Sequence, residues 1–312
     1  MREVTSLAVV AGVVLAATLS VHGQAPAGGQ GRGAAPPPPP MEIKQVKPGL
    51  YMVTGFGGNS TVRVTNDGVI LVDTKNLGQP VYEDLVAKIR SVTDKPVKYV
   101  FITHVHQDHA GNIGRFVQAG AQVITFEGLK KNLETGGLDG KGYTSPAGKP
   151  DPPNVTYSGK SREVKLGGVR AIAYHFASAH TSGDSVVYFP DLKVLATGDE
   201  FVAQPPNADI PNGGSVVTFP KALSEALKLD FETAIPGHGN DPMTRADMQA
   251  YAKKWDAITK KALELRKAGV SKEEIRQRIQ AEVPEMAPWM MTGIVNDMRL
   301  DGFYAELTNA TK

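Results

Sequence analysis

The apolar run Tyr99–Thr103, YVFIT, ends directly in four potential metal ligands packed into six residues: His104, His106, Asp108 and His109. A chain leaving a strand end can turn His104 and His106 toward one point. Asp108 and His109 can then turn toward a second point a few ångströms away. Neutral imidazole and carboxylate are good ligands for zinc. The chain has no cysteine, which excludes disulfides, thiolate zinc sites and cysteine nucleophiles. Any metal must therefore be held by nitrogen and oxygen.

Around this motif the chain alternates strand-like and helix-like segments. MEIKQV, LYMVTG, STVRVT and GVILVDT read as short strands, with the hairpin signal Asn66-Asp67-Gly68 between the last two. Leu85, Ile89 and Val92 recur at helical spacing within 81–92. Further strands are expected near 121–125, 162–166, 169–175, 184–189, 193–197 and 232–235, and helices near 126–133 and 219–229. Such alternation predicts an α/β arrangement of sheets covered by helices. The stretch 134–160 is rich in Gly and Pro, lacks period and reads as a long loop. Beyond 240 the pattern turns helical. Met248, Tyr251, Ala252, Trp255, Ile258, Ala262 and Leu265 mark one apolar face, and Ser271 with Glu274 forms a capping-box pattern. The Met- and Trp-rich segment 286–291 reads as core, a lid or dimer contact being the alternative.

The chain is expected to divide into a signal peptide (1–23), a Gly/Pro-rich linker (24–41), a main domain (42–240) that carries the motif and a helical C-terminal extension (241–312) packed on the same domain. The apolar stretch Leu7–Leu19 is short of the roughly 20 residues that span a bilayer and fits the core of a secretory signal. The protein is accordingly expected to be periplasmic or secreted, without stable membrane insertion after processing. Its net charge of +2 provides no basic field for nucleic acid.

Two more histidines stand in turns after apolar runs, His180 in SAHTSGDSVVYF and His238 in AIPGHGN, and Asp199 ends VLATGD. H-x-H-x-D-H, then H-T-x-G-D, then G-D, then P-G-H-G resembles, in this order, the signature of the metallo-β-lactamase superfamily, from Glu42 to Asn240. The resemblance implies an αββα sandwich and two Zn²⁺ ions per chain. His104, His106 and His180 would bind the first, Asp108, His109 and His238 the second, and Asp199 would bridge them. A metal-bound hydroxide would attack a substrate carbonyl, with Asp108 orienting the water that protonates the leaving group. Asp73, at the end of VILVDT, would orient the ligand loop. His175 has no motif around it and reads as structural.

The substrate expected from this resemblance is a small molecule with a carbonyl centre, such as an ester, lactone, thioester or amide. The alternative is a periplasmic class B-like β-lactamase. In the cysteine-ligand class of β-lactamases the Asp199 position is Cys and a Lys follows three residues later, where this chain has Val202. The segment NADIPNGGSVVTFPKAL resembles one that carries a substrate-contacting Asn, so Asn212 is a candidate for steadying an oxyanion. The tip TGFGGNS places Phe56 where those enzymes carry a mobile apolar flap. An oxygen reductase of the flavodiiron type would want Glu in place of His106, and a non-catalytic zinc module would be expected to lack a ligand.

Overall fold

A computed structural model of the chain describes Met1, 40–135 and 151–312. The chain forms two units, Met1–Pro37 and Pro38–Lys312. The first lies, Met1 apart, outside the described residues, and so do the expected leader and nearly all of the linker. Every described strand and helix belongs to the second unit.

Seven strands form the first sheet: β1 (Glu42–Lys47), β2 (Leu50–Thr54), β3 (Ser60–Val64), β4 (Val69–Val72), β5 (Val97–Phe101), β6 (Gln122–Phe126) and β7 (Val155–Tyr157). They stand in sequence order, antiparallel from β1 to β4 and parallel from β4 to β7. The second sheet, ordered from last strand to first, holds β8 (Ser161–Leu166), β9 (Val169–Tyr174), β10 (Val186–Phe189), β11 (Val194–Ala196), β12 (Thr233–Ile235) and β13 (Met243–Thr244). Only β11 and β12 run parallel in it. The helices are α1 (Gln79–Arg90), α2 (Gln107–Ala110), α3 (Ile113–Gln118), α4 (Glu127–Thr135), α5 (Phe219–Ala226), α6 (Arg245–Lys267), α7 (Lys272–Glu282), α8 (Met291–Ile294) and α9 (Leu300–Ala310).

Strand periodicity explains the layering. In β4, Val69 and Leu71 face one apolar cluster and Ile70 and Val72 another. The first of these joins the sheet to α1, α3 and α4, with Leu85, Ile113, Phe116 and Leu129 buried in it. The second lies between the sheets, where Met52, Phe101 and Ile124 meet Ala171, Val187 and Phe189. A third cluster joins the far face of the second sheet to the C-terminal helices. The result is the expected αββα sandwich with a helical extension. Each fully buried Leu, Ile, Val or Phe contributes roughly 1.5–3 kcal/mol, so sheets and helices hold one another in place.

The apolar face predicted for the long C-terminal helix is buried in α6 from Met248 to Leu265. Trp255 stacks on Phe219 of α5, ring centroids 4.0 Å apart. Met286, Trp289 and Met291 are buried in the same cluster, as the core reading expects, while Ala287, Pro288 and Met290 between them are exposed. The sheet continues past residue 240, because β13 pairs with β12. Two expectations need correction. Part of the supposed loop 134–160 is regular: α4 runs to Thr135, and Val155–Tyr157 pairs with β6, while 136–150 lie outside the described residues. The Ser271 hydroxyl donates to the Glu274 carboxylate and caps no backbone amide, because both side chains turn to each other at an exposed helix end. A complete capping box stands instead at Thr244 and Asp247, opening α6.

Candidate metal centre

The site gathers where strands end. His104 and His106 leave β5, and His106 is the residue that opens the short helix α2, which sets Asp108 and His109 in its first turn. Asp199 sits in the single helical turn after β11, and His238 follows β12. His180 lies between β9 and β10, where the Asp184 carboxylate accepts hydrogen bonds from the amides of Ala179 and Thr181 and from the Thr181 hydroxyl. Gly237 is required at its position: a Cβ there would stand 2.1 Å from Asp199 Oδ1.

All seven ligand candidates converge, in two groups. His104, His106, His180 and Asp199 form one, and Asp108, His109 and His238 the other, with donor atoms inside each group within 4.8 Å of one another. In the first, His106 Nδ1 lies 3.2 Å from His104 Nε2 and 2.9 Å from His180 Nε2. In the second, His238 Nε2 lies 3.3 Å from His109 Nε2 and 3.2 Å from Asp108 Oδ2. Asp199 stands between them, its Oδ1 3.2 Å from His109 Nε2 and its Oδ2 3.4 Å from His238 Nε2 and 3.5 Å from His180 Nε2. Four ligands about 2.0–2.1 Å from a tetrahedral zinc are separated by about 3.3–3.4 Å, and the donor atoms here lie 2.9–3.9 Å apart, around that spacing.

Proton bookkeeping makes the fit specific. The outer nitrogen of each of four histidines is engaged from behind: His106 Nε2 at 2.6 Å from Asp209 Oδ2, His109 Nδ1 at 2.8 Å from Asp73 Oδ2, and His180 Nδ1 at 2.9 Å from the Asn207 carbonyl. His104 Nδ1 lies 3.1 Å from Thr103 Oγ1, whose own hydrogen is given to Asp73. Each acceptor takes a hydrogen bond from the ring's outer nitrogen, which leaves the inner nitrogen of each ring turned inward as the atom able to offer a lone pair. Lone pairs facing each other at 2.9–3.2 Å repel unless a cation lies among them. Asp199 Oδ1 is buried without a hydrogen bond. The donor set therefore fits a pair of N/O-ligated divalent metal ions.

Charge follows the same division. Burial, reinforced by neighbouring histidines, holds His104 well below the usual imidazole range and lowers His180 to about 4, so both are neutral at pH 7, the form a metal would need. For His109 burial again opposes charge most strongly, but Asp199, Asp108 and Asp73 together raise its pKa well above the ordinary value. His238 is likewise raised to about 9, against burial, by hydrogen bonds to Asp108 and Asp199. Burial works against ionised Asp199 and Asp108, yet their histidine neighbours carry both below the usual carboxylate range. This half of the centre asks for positive charge.

The remaining candidates fall behind the ligands. Asp73 accepts from Thr103 and His109, as its expected orienting role requires. Asn212 donates an amide hydrogen to Asp209 Oδ2 at 2.7 Å, which places it behind His106. His175 is structural: it stacks on Phe126 and bonds the Asp184 carbonyl. Val202, where a lysine anchor would stand, is 5% exposed and packed in the helical core. A cleft of about 460 Å³ opens beside His238, lined by Thr54, Phe56, Asn59, Ala203 and Gln204 among others. Its described lining contains no Lys or Arg. Sequence reasoning missed Asp209, although it lies in the segment singled out for Asn212. It also missed Lys75, fully buried, whose ammonium donates to the Val53 and Gly58 carbonyls at 2.6 and 2.7 Å.

The family model for the metallo-β-lactamase superfamily matches residues 53–238. The chain belongs to this superfamily and is a hydrolase of it. It is 26% identical over 231 residues to the 2,4-dinitroanisole O-demethylase subunit alpha of Nocardioides sp. (strain JS1661), covering 74% of this chain and 67% of that protein. It is 29% identical over 199 residues to metallo-β-lactamase IND-1 of Chryseobacterium indologenes, covering 61% and 75%. A metallo-β-lactamase from Pontibacter korlensis shares the fold, with a TM-score of 0.59 at 20% identity, over 69% of this chain and 99% of that one.

Proposed function

We propose that this hydrolase holds two zinc ions and cleaves carbonyl compounds, esters and lactones foremost, with thioesters and amides in the same chemical class. The observation that carries the proposal is the inward convergence of imidazole nitrogens on two points, with Asp199 standing between them. His104, His106 and His180 on one side and Asp108, His109 and His238 on the other would hold the ions, and zinc bound there would supply a nucleophile at neutral pH and polarise a substrate carbonyl. The chain's own residues do the rest. Asp73 and Asp209 hold the imidazoles in the ligating tautomer. Asp108, with a side chain 29% exposed, is the most open carboxylate of the centre and orients the water that protonates the leaving group. Asn212 acts one step back, by fixing Asp209.

The cleft sets the substrate preference. Without a cation in the described lining, a substrate carboxylate lacks a charge-assisted hydrogen bond. That interaction is worth about 1.5–3 kcal/mol, roughly ten- to a hundredfold in affinity. Neutral esters and lactones lose nothing by this. The second reading, β-lactam hydrolysis, is favoured by the likeness to proteins named metallo-β-lactamases and by the apolar Phe56 at the cleft. A comparison of kcat/KM for an aryl ester, an acyl lactone and a chromogenic cephalosporin separates the two. The ester or lactone should be the better substrate. A cephalosporin preferred by about a hundredfold, some 2.7 kcal/mol, would overturn the first reading and assign the carboxylate to a cation outside the described lining.

A further inference from the structure

The C-terminal extension reaches the metal centre through one arginine. Arg299 directly precedes α9 and lies well beyond the matched segment 53–238. Its Nη2 stands 3.7 Å from Asp209 Oδ1, with side chains 18% and 7% exposed. The other carboxylate oxygen, Oδ2, accepts from His106 Nε2 at 2.6 Å and from Asn212 Nδ2 at 2.7 Å. The two oxygens of Asp209 thus have divided duties: one faces the extension and one holds a ligand histidine. Among the described residues Asp209 is Arg299's one ionic partner.

We infer that Arg299 is a positioning residue for the three-histidine metal site, acting through Asp209 on His106; the inference rests on the reading that this cluster binds zinc. A carboxylate held along one edge can turn about its terminal bond. A cation at its second oxygen opposes that turn and offsets the cost of keeping the charge buried. At this exposure the pair is weakly screened by water and salt. When Asp209 is held, the His106 proton stays on Nε2 and Nδ1 stays aimed at the metal. Arg299 also borders a cavity of about 700 Å³, so its side chain is open on that side.

The test measures zinc affinity of the full chain by competition with a chromophoric chelator, for wild type, Arg299→Met, Arg299→Lys, Asp209→Asn and the Arg299→Met/Asp209→Asn double variant. Arg299→Met should weaken one zinc equivalent about three- to tenfold and leave the other unchanged. This is less than the ten- to hundredfold expected for direct partners of ligands. Arg299→Lys should recover most of the loss, and Arg299→Met should add nothing in the Asp209→Asn background. Melting of the metal-free proteins separates a folding defect from a metal effect, and Arg299→Gln serves if the methionine variant does not fold. Unchanged or tighter zinc binding, or the same loss in the Asp209→Asn background, overturns the inference while leaving the zinc reading intact. A wild-type chain that binds no zinc overturns both.

Discussion

Replacing Asp73 with Asn should loosen metal at both clusters at once. Asp73 is 1% exposed and follows β4 with φ at +62°, a left-handed conformation that Asn adopts about as readily as Asp. The substitution therefore keeps shape and backbone and changes only charge and one acceptor. Asp73 Oδ1 accepts from the Thr103 amide at 2.8 Å, and Oδ2 accepts from Thr103 Oγ1 and His109 Nδ1, both at 2.8 Å. An Asn has one acceptor edge and one donor edge. Whichever way it turns, its NH₂ meets a donor, either the Thr103 amide or the pair Thr103 hydroxyl and His109. His109 belongs to one cluster, and Thr103 orients His104 of the other. Losing a charge-assisted hydrogen bond costs about 1.5–3 kcal/mol. The known cost of removing such a partner, ten- to a hundredfold in metal affinity, corresponds to about 1.4–2.7 kcal/mol, so the two routes agree. Chelator competition should show both zinc equivalents weakened by that factor. An Asp73→Asn protein that binds two zinc ions within twofold of wild type would refute the argument that this carboxylate governs both clusters.

Three further outcomes are expected. Asp199→Ala should reduce metal content, measured by emission spectrometry, from two zinc ions per chain to one, and two tightly retained ions would refute a bridging role. Burial lowers Lys75 to about 7 from 10.5, against the pull of Asp73 and Asp108. The native state then binds fewer protons than the unfolded chain between these values. Stability of the metal-free protein should rise with pH across that window, by at most about 1.4 kcal/mol per unit, and the contribution is lost as pH falls through about 7. Melting scans check this, and Lys75→Met should flatten the slope. We also propose export directed by the apolar stretch Leu7–Leu19. N-terminal sequencing from the natural compartment should begin near Gln24 or Pro26, and a mature chain retaining Met1 would refute cleavage.

The parts of this protein that sequence makes legible share a physical cause. Val69–Val72 and Tyr99–Ile102 are apolar because both sheet faces are covered, and each ligand candidate stands within a few residues of such a run. Strand ends and ligand motifs can therefore be read together. The outer ring of the site is another matter. Asp209 meets His106 across 103 positions of sequence, and Arg299 meets the same carboxylate from the C-terminal extension. Neither carries a local pattern, and an isolated charged residue is far commoner at a surface. Lys75 is hidden for the same reason: a buried lysine runs against its usual place at the surface, and its hydrogen bonds go to two carbonyls brought from the β2–β3 turn and its approach. Val155–Tyr157 is too short and too close to Pro152 and Pro153 to read as a strand. Its pairing with β6 is non-local.

The β2–β3 turn illustrates how far the site's outer ring constrains its chemistry. Its resemblance to a mobile flap suggests a lid, but its base is docked on the ligands. The Gly58 amide donates to the Asp108 carbonyl at 3.1 Å, and its carbonyl accepts from Lys75. The Asn59 amide donates to the Gly237 carbonyl at 2.7 Å, and its side chain donates to the carbonyls of Pro236 and Gly239 on either side of His238. A Cβ at position 58 would lie 2.1 Å from the His109 ring. The turn thus bonds to both loops that supply the second cluster, and Phe56 at its tip packs partly into the helix-facing core of the first sheet. Large excursions of this hairpin would have to break contacts with the ligand loops themselves. The wall of the cleft is therefore preformed. It also means that a side chain added at Gly58 must move either the hairpin or His109, so substrate access and metal retention cannot be altered independently here.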